Sequence, residues 1–285
     1  MSAQSSTMSF IQTDTASLYY EAFGQGPPIV FAHESAADAR QWEPQVRVLS
    51  KRYRCIVYNA RGYPPSDVPD QDAAYGYIHA CQDLAEVVEQ TVGGPAHIVG
   101  LSMGGYAGLM LGLHRPELVR SLFVAGCGTG SVRVEDGRMA QNMNALAETF
   151  MVRGAEAGAA QIAKPFNRTE FRRRNPAAWQ AWYDDLLTHS AEGMARTFRN
   201  VQGRRPSLYQ FEDQLRKLNR PVWLAVGSED AGCLEVNRFL FETLPSASLQ
   251  IVPQCGHAIN LETPDSFNSA LQSFVDQVDR PAHTE

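Results

Sequence analysis

The sequence predicts an α/β fold in which a mostly parallel sheet carries helices on both faces and a helical cap is inserted. Short continuous apolar runs at 29–32, 55–58 and 222–226 are typical of strands buried on both faces, and helical patterns separate them. Residues from about 130 to 205 contain several helical patterns and no such run. A Gly-x-Ser-x-Gly sequence, 100–104, joins an apolar run directly to a helical pattern. Together these features predict an α/β domain interrupted by helices.

Length and composition exclude several classes of protein. The 285 residues suffice for one large α/β domain with an insertion, and 44% hydrophobic with 20% charged residues is ordinary for a globular enzyme. The net charge of -6 provides no basic surface for nucleic acid. Five cysteines without a Cys-x-x-Cys pair suggest neither a disulfide framework nor a zinc site.

The N-terminal residues and the hydropathy pattern bear on location. Met1–Thr7 is polar and lacks the basic start and apolar stretch of a secretory signal. No segment approaches the roughly 20 apolar residues that a membrane span needs. We therefore expect a cytoplasmic protein with no membrane partner.

The first elements lead into a parallel βαβ unit. Segments 8–12 and 17–23 alternate apolar and polar residues around a short turn, which predicts a hairpin at a sheet edge. The strand at 29–32, a helix over about 38–50 and the strand at 55–58 follow with short connections. A helix over 77–91 comes next, and its end at Gly93-Gly94-Pro95 leads to the strand before the serine motif.

The rest of the chain divides into the predicted insertion and a return to alternating strands and helices. We expect a core domain over 1–130 and 206–285 and a helical cap over 131–205. The cap has helical patterns around 135–153, 155–164, 176–189 and 191–201. After the cap, helices are predicted near 207–218, 233–243 and 265–278, and strands at 222–226 and 248–252.

Ser102 lies at the apex of the strand-turn-helix motif. Such a turn forces the serine into a strained backbone conformation, and glycine two residues to either side lets the strand and the helix approach each other. A bare Gly-x-Ser-x-Gly is a weak signal, since a serine capping a helix produces the same pattern. A nucleophilic serine also needs a general base and an acid that orients the base.

The base and the acid are expected on loops at the carboxyl ends of other parallel strands. After residue 230 the histidines are His257, which follows the strand at 248–252, and His283, which lies in the C-terminal tail. His257 is therefore the candidate base.

The acid is chosen from three carboxylates near the end of the strand at 222–226. Glu229, Asp230 and Glu235 are all close to that strand end. We prefer Asp230, because the Gly-x-x-Asp turn directs its fourth residue back over the strand. Ser, Asp and His at successive strand ends then form a candidate catalytic triad.

These motifs resemble those of the α/β-hydrolase superfamily. The resemblance extends over nearly the whole chain outside the predicted cap, and it implies a serine hydrolase with a helical cap over its site. It is carried by Gly100-Leu101-Ser102-Met103-Gly104, Gly227-Ser228-Glu229-Asp230, Gly256-His257 with Glu262-Thr263-Pro264, and Arg61-Gly62-Tyr63 with Ser66.

Backbone donors must stabilise the oxyanion that forms during acyl transfer. The amide of Met103 should supply one donor at the start of the helix after Ser102. The resemblance implies that the second comes from Ser35, which follows the family's His-Gly pair. Here that pair is His33-Glu34, so a carboxylate replaces a glycine beside the oxyanion hole. Glu34 must turn away or pair with Arg61 or another cation.

The predicted cap is rich in large apolar side chains, which indicates an apolar acyl or aryl pocket. The Arg172-Arg173-Arg174 run is expected on the solvated surface of the cap. The chemistry requires no metal and no organic cofactor. The candidate pocket residues are His33, Glu34, Trp179, Trp182, Tyr183 and Ile259.

The function predicted for this site is hydrolysis of a small-molecule carboxylic ester or lactone through an acyl-enzyme. One alternative is a carbon–carbon bond hydrolase of ring-cleavage products, although such enzymes typically carry tryptophan after the catalytic histidine, where this chain has Ala258. Another is a hydrolase-like receptor that binds a ligand and turns it over poorly. The sequence is compatible with a homodimer and does not decide the oligomeric state.

Overall fold

The computed structural model describes residues 9–280, and these form one eight-stranded sheet flanked by helices. Met1–Thr7 and His283 lie outside the described residues. The strands are β1 (Ser9–Gln12), β2 (Ser17–Phe23), β3 (Pro28–Ala32), β4 (Arg54–Tyr58), β5 (Ala96–Leu101), β6 (Val119–Ala125), β7 (Val222–Gly227) and β8 (Ala247–Val252).

The strands follow the order β1-β2-β4-β3-β5-β6-β7-β8 across the sheet. β1 and β2 form the predicted antiparallel hairpin at one edge, and β2 also pairs antiparallel with β4. All other neighbouring strands are parallel. The prediction of a mostly parallel sheet is therefore confirmed. Because β3 to β8 run in one direction, the loops after them meet at the same edge of the sheet.

Helices cover both faces of the sheet, as predicted. Alternate residues of a strand point to opposite faces, so Val30 belongs to the apolar cluster on one face of the sheet and its neighbour Ile29 to the cluster on the other. The helices are α1 (Glu43–Leu49), α2 (Tyr77–Thr91), α3 (Met103–His114), α4 (Arg138–Ile162), α5 (Phe166–Arg174), α6 (Pro176–Leu187), α7 (Ala191–Arg196), α8 (Glu212–Leu215), α9 (Ala231–Thr243), α10 (Ile259–Glu262) and α11 (Pro264–Asp279).

The segment between β6 and β7 contains helices and no strand, and its residues are all described. α4 combines two predicted helices in one element with a kink at Gly154, whose φ of 82° is outside the helical range. α6 and α7 lie close to their predicted positions, and α7 continues as a π-helix over Thr197–Gln202. We call residues 138–202 the helical insertion.

Two short segments differ from the predictions. The helix expected near 207–218 is a 3-10 turn at Leu208–Phe211 followed by the four-residue α8. α5 was not predicted, because its sequence Phe-Asn-Arg-Thr-Glu-Phe-Arg-Arg-Arg offers only two apolar residues and so shows no apolar stripe. Polar contacts of Asn167 and Arg168 with the core domain hold α5 in place.

The helical insertion packs on the core domain through its own apolar cluster. Phe150 and Trp182 of the insertion join Ala36, Met103 and Ala258, which directly follow strands or the turn after a strand at one edge of the sheet. The insertion is therefore placed directly over the carboxyl ends of the parallel strands. Within residues 9–280, no helix has the length and apolar character that crossing a membrane requires.

Candidate active site

Ser102 lies at the sharp turn between β5 and α3. Its backbone has a φ of 53° and a ψ of -105°, and its N–H donates to the Ala125 carbonyl at 2.8 Å. A Cβ at Gly100 would lie 2.3 Å from the Gly104 carbonyl oxygen, and a Cβ at Gly104 would lie 2.1 Å from that of Ala32. Both flanking glycines are therefore required sterically, and Ser102 is held in a strained backbone conformation of the kind that clusters at active sites.

His257 and Asp230 form a buried hydrogen-bonded pair. Asp230 follows β7 and His257 follows β8, and the distance from Asp230 Oδ2 to His257 Nδ1 is 2.6 Å. Burial opposes the charge on His257, but the charge and hydrogen bond of Asp230, together with Cys233, outweigh it and raise the pKa of His257 well above its ordinary value. Burial likewise opposes the charge on Asp230, yet His257 holds the pKa of that carboxyl below its usual range.

The structure distinguishes the three carboxylates considered for the acid. Asp230 is the one that hydrogen-bonds to His257. Glu229 instead forms an ion pair with Arg174, and Glu235 is exposed on α9. The prediction of Asp230 as the partner of His257 therefore agrees with the geometry.

A cavity of about 590 Å³ lies between the helical insertion and the ends of the strands. Ser102, Asp230 and His257 line it together, and so do Glu34 and Ser35. We call it the Ser102 cavity. The large apolar side chains that the insertion contributes to its wall are Met139, Met143, Leu146, Ile162, Phe166 and Phe198.

The aromatic residues predicted to line the pocket lie outside the Ser102 cavity, which corrects that expectation. Trp179 and Tyr183 stack on each other with ring centroids 5.0 Å apart. The Trp182 indole N–H donates to the Ala36 carbonyl at 2.9 Å. Trp179 and Trp182 belong to the apolar cluster between the insertion and the core domain, so they hold the insertion on the core rather than lining the Ser102 cavity.

Ile259 and His33 are also absent from the wall of the Ser102 cavity, contrary to the prediction. Ile259 is buried in the apolar cluster between the sheet and the helices α1 and α11. His33 Nε2 accepts the Ala60 N–H at 2.9 Å, so its Nδ1 carries the proton and donates to the Glu34 carbonyl at 2.7 Å. Burial lowers the pKa of His33 to about 4, which keeps this tautomer neutral. His33 therefore fixes the loop that carries Glu34 and Ser35.

The two predicted oxyanion donors have free N–H groups. Within residues 9–280, neither the Ser35 nor the Met103 N–H has a hydrogen-bond acceptor. Ser35 lines the Ser102 cavity, and Met103 is the first residue of α3 with its side chain buried under the insertion. Unpaired N–H groups beside Ser102 are what an oxyanion hole requires.

Glu34 is buried and forms an ion pair with Arg168 of α5. Arg61, named above as one candidate partner, instead forms a salt bridge with Asp83 at 2.6 Å. The side chain of Glu34 also approaches the base, since its Oε2 lies 3.7 Å from His257 Nε2. The imidazole of His257 thus has a carboxylate on each side: Asp230 at Nδ1 and Glu34 near Nε2.

α5 makes contacts around the candidate triad that the sequence did not predict. Asn167 Nδ2 donates to Asp230 Oδ1 at 3.2 Å, so the insertion holds the carboxylate oxygen that His257 leaves free. Arg174 bonds Glu229 and lies 3.7 Å from Glu262, and it is only 22% exposed rather than on the solvated surface as expected. The available sequence signal for these contacts is the polar segment after Pro165, which lies within the insertion predicted to cover the active site.

Asp230, Cys233 and His257 form one group of possible metal ligands within the described residues, with their ligand atoms within 4.8 Å of one another. Asp230 and His257 are already hydrogen-bonded to each other. Burial, reinforced by the charge of Asp230, raises the pKa of the Cys233 thiol, so the thiol stays protonated and is a poor metal ligand. We therefore assign these three side chains to hydrogen bonding.

The sheet order, the helical insertion after β6 and the sharp turn at Ser102 define the α/β-hydrolase fold. The model of the alpha/beta hydrolase family matches residues 29–270, and the chain belongs to this family.

Several proteins similar to this chain are named as hydrolases. The chain is 27% identical over 281 residues to a protein of Azorhizobium caulinodans named as a proposed carbamate hydrolase, RutD, covering 96% of this chain and 100% of the relative. It is 24% identical to 3-oxoadipate enol-lactonase 1 of Acinetobacter baylyi, covering 94% of this chain and 95% of the relative. An esterase structure from Exiguobacterium antarcticum superposes with a TM-score of 0.78 at 26% identity, covering 95% of this chain and 100% of the other. These similarities support a hydrolase activity.

Proposed function

We propose that the protein is a serine hydrolase that cleaves a carboxylic ester or lactone with an apolar acyl or aryl group. The observation that carries the proposal is that Ser102 and His257 line the same cavity. Asp230 is hydrogen-bonded to Nδ1 of the same imidazole at 2.6 Å. A nucleophile, a base and an orienting acid are then in the roles that acyl transfer needs.

The proposed reaction has two halves. Ser102 Oγ attacks the carbonyl carbon while His257 Nε2 takes its proton and the carbonyl electron pair moves to oxygen. The carbon–oxygen bond to the leaving group breaks, and Nε2 returns the proton to the leaving alcohol. Water then attacks the acyl-enzyme in the same way, so the acid leaves and Ser102 regains its proton.

The other side chains support this chemistry. Asp230 holds Nδ1 protonated and stabilises the imidazolium, and Asn167 fixes the second oxygen of Asp230. The N–H groups of Met103 and Ser35 stabilise the oxyanion. The apolar wall of the Ser102 cavity suits the organic part of an ester, and relatives named as an enol-lactonase and an esterase support this reaction class.

We expect steady hydrolysis of p-nitrophenyl acetate and butyrate and covalent labelling by a fluorophosphonate. Absorbance of p-nitrophenol measures turnover, and mass spectrometry of tryptic peptides should locate the phosphonate on Ser102. Tight ligand binding without turnover or labelling would contradict the proposal and indicate a receptor instead.

We expect the pH dependence of kcat/KM to reflect the raised pKa of His257. The base works only when it is neutral, so kcat/KM should be low in weak acid and rise through a midpoint above 6.5, the ordinary value for histidine. Hydrolysis of p-nitrophenyl butyrate from pH 5 to 9.5, corrected for the uncatalysed rate, measures this midpoint. In Asp230→Asn the midpoint should move to lower pH, because the charge that stabilises the imidazolium is lost. A wild-type midpoint at or below 6.5 would contradict the assignment.

A further inference from the structure

The position of Glu34 places a carboxylate beside the reacting atoms. Its Oε2 lies 3.7 Å from His257 Nε2, the atom that exchanges protons with Ser102 and with the leaving group in the proposed function. Glu34 also precedes Ser35, a proposed oxyanion donor, and both residues line the Ser102 cavity. Groups of a bound substrate close to the carbonyl at Ser102 therefore lie within reach of Glu34.

Glu34 and Arg168 each keep one polar atom without a partner. Within residues 9–280, Glu34 Oε1 and Arg168 Nη1 are buried and have no hydrogen-bond partner. The ion pair uses only the other atoms of the two groups, Oε2 and Nη2. A buried polar atom without a partner is costly, and a polar group of a ligand in the adjoining cavity would supply the missing hydrogen bonds.

Neighbouring groups hold the pair in place. The Glu34 N–H donates to Gln41 Oε1 at 3.3 Å, and the Glu34 carbonyl accepts from His33 at 2.7 Å. The Arg168 guanidinium lies over the Trp182 ring, 4.7 Å from its centroid. The two groups are therefore pre-organised, and binding does not need to order them.

The charges in the wall indicate which ligand group fits. A carboxylate on the substrate would meet Glu34, Glu229 and Asp230, while Arg168 is already paired with Glu34 and Arg174 with Glu229. An ether oxygen could accept from Arg168 but not donate to Glu34. A hydroxyl group supplies both kinds of hydrogen bond, because it donates and accepts.

We propose that Glu34 and Arg168 form a subsite for a hydroxyl group, one or two carbons from the scissile carbonyl, on the acyl part of the substrate. The inference rests on the proposed ester or lactone hydrolysis and narrows its substrates to hydroxyacyl esters and hydroxylactones. Glu34 is thereby a specificity-determining residue in the place where the family resemblance implies a glycine.

Matched esters test the subsite in the wild-type protein. The probes are ethyl lactate with ethyl 2-methoxypropionate, and ethyl 3-hydroxybutyrate with ethyl 3-methoxybutyrate, with release of acid followed by titration at constant pH. Each rate is divided by the rate of hydroxide-catalysed hydrolysis of the same ester. We expect kcat/KM to favour the hydroxy ester of at least one pair by about 10- to 100-fold, since a hydrogen bond to a charged group is lost in the methyl ether.

Two variants locate the preference. In Glu34→Gly the two esters of the preferred pair should react at nearly equal rates, because the acceptor is absent. Glu229→Gln changes another carboxylate of the same wall and should keep the wild-type ratio. The double variant Glu34→Gly with Arg168→Met removes both charges. If the single variant does not fold, the ratio of the two ester rates is measured in the double variant, and it should also be near one.

The outcomes separate this inference from the proposed function. Hydrolysis of all four esters without a preference for hydroxyl, or a preference that persists in Glu34→Gly, would overturn the subsite and leave the proposed function standing. If neither these esters nor the p-nitrophenyl esters are hydrolysed, both proposals fail.

Discussion

Replacing Ser102 by alanine is expected to lower kcat for p-nitrophenyl butyrate by about 10⁴- to 10⁶-fold. The variant keeps the cavity, the His257–Asp230 pair and the free N–H groups of Met103 and Ser35, but it has no nucleophile for an acyl-enzyme. Alanine has the same Cβ as serine, so the φ of 53° should cost it no more than it costs Ser102, and the turn should still form. Initial rates at saturating ester, with protein concentration set by absorbance, measure the effect.

A matched serine controls for general effects of the substitution. Ser228 lies two residues before Asp230, its hydroxyl accepts the Gln254 N–H at 2.9 Å, and it does not line the Ser102 cavity. Ser228→Ala should therefore keep kcat within a few-fold of wild type. If Ser102→Ala retained a rate within tenfold of wild type while its thermal unfolding was unchanged, another group would be the nucleophile.

The candidate triad could be predicted from the sequence because it depends only on local motifs and on the direction of the strands. Ser102, Asp230 and His257 each follow a strand of the parallel sheet, and parallel strands bring their carboxyl ends to one edge. The order of the strands was not needed for this inference. The sequence could therefore indicate which residues meet at the edge of the sheet without specifying their distances.

The part that was missed depends on contacts between distant segments. Trp179 and Trp182 lie on an amphipathic helix, but the periodicity of α6 does not show whether its apolar face turns to the cavity or to the core domain. α5 has hardly any apolar pattern, and its position follows from polar contacts such as that of Arg168 with Glu34, 134 residues earlier in the chain. Pairing over such a distance cannot be read from a single sequence.

The same contact produces the largest expected effect on stability. Arg168→Met is expected to lower the free energy of unfolding by about 3–5 kcal/mol, because it leaves the Glu34 carboxylate buried without its cation. The side chains of Arg168 and Glu34 are 6% and 2% exposed, so water screens the remaining charge only weakly. Urea unfolding followed by circular dichroism measures the change. The variant Arg173→Met on the same helix should cost about 0–1 kcal/mol, because Arg173 is 68% exposed and its ion pair with Glu170 is screened by water.

Removing the second charge distinguishes a lost ion pair from lost packing. Glu34→Gln with Arg168→Met should recover a large share of the stability that Arg168→Met loses, since no unpaired buried charge is left. A double variant that is less stable than Arg168→Met would instead show that the arginine acts mainly through its packing on Trp182. Recovery would mean that the pair contributes little net stability, as expected if its two charges serve the Ser102 cavity rather than the fold.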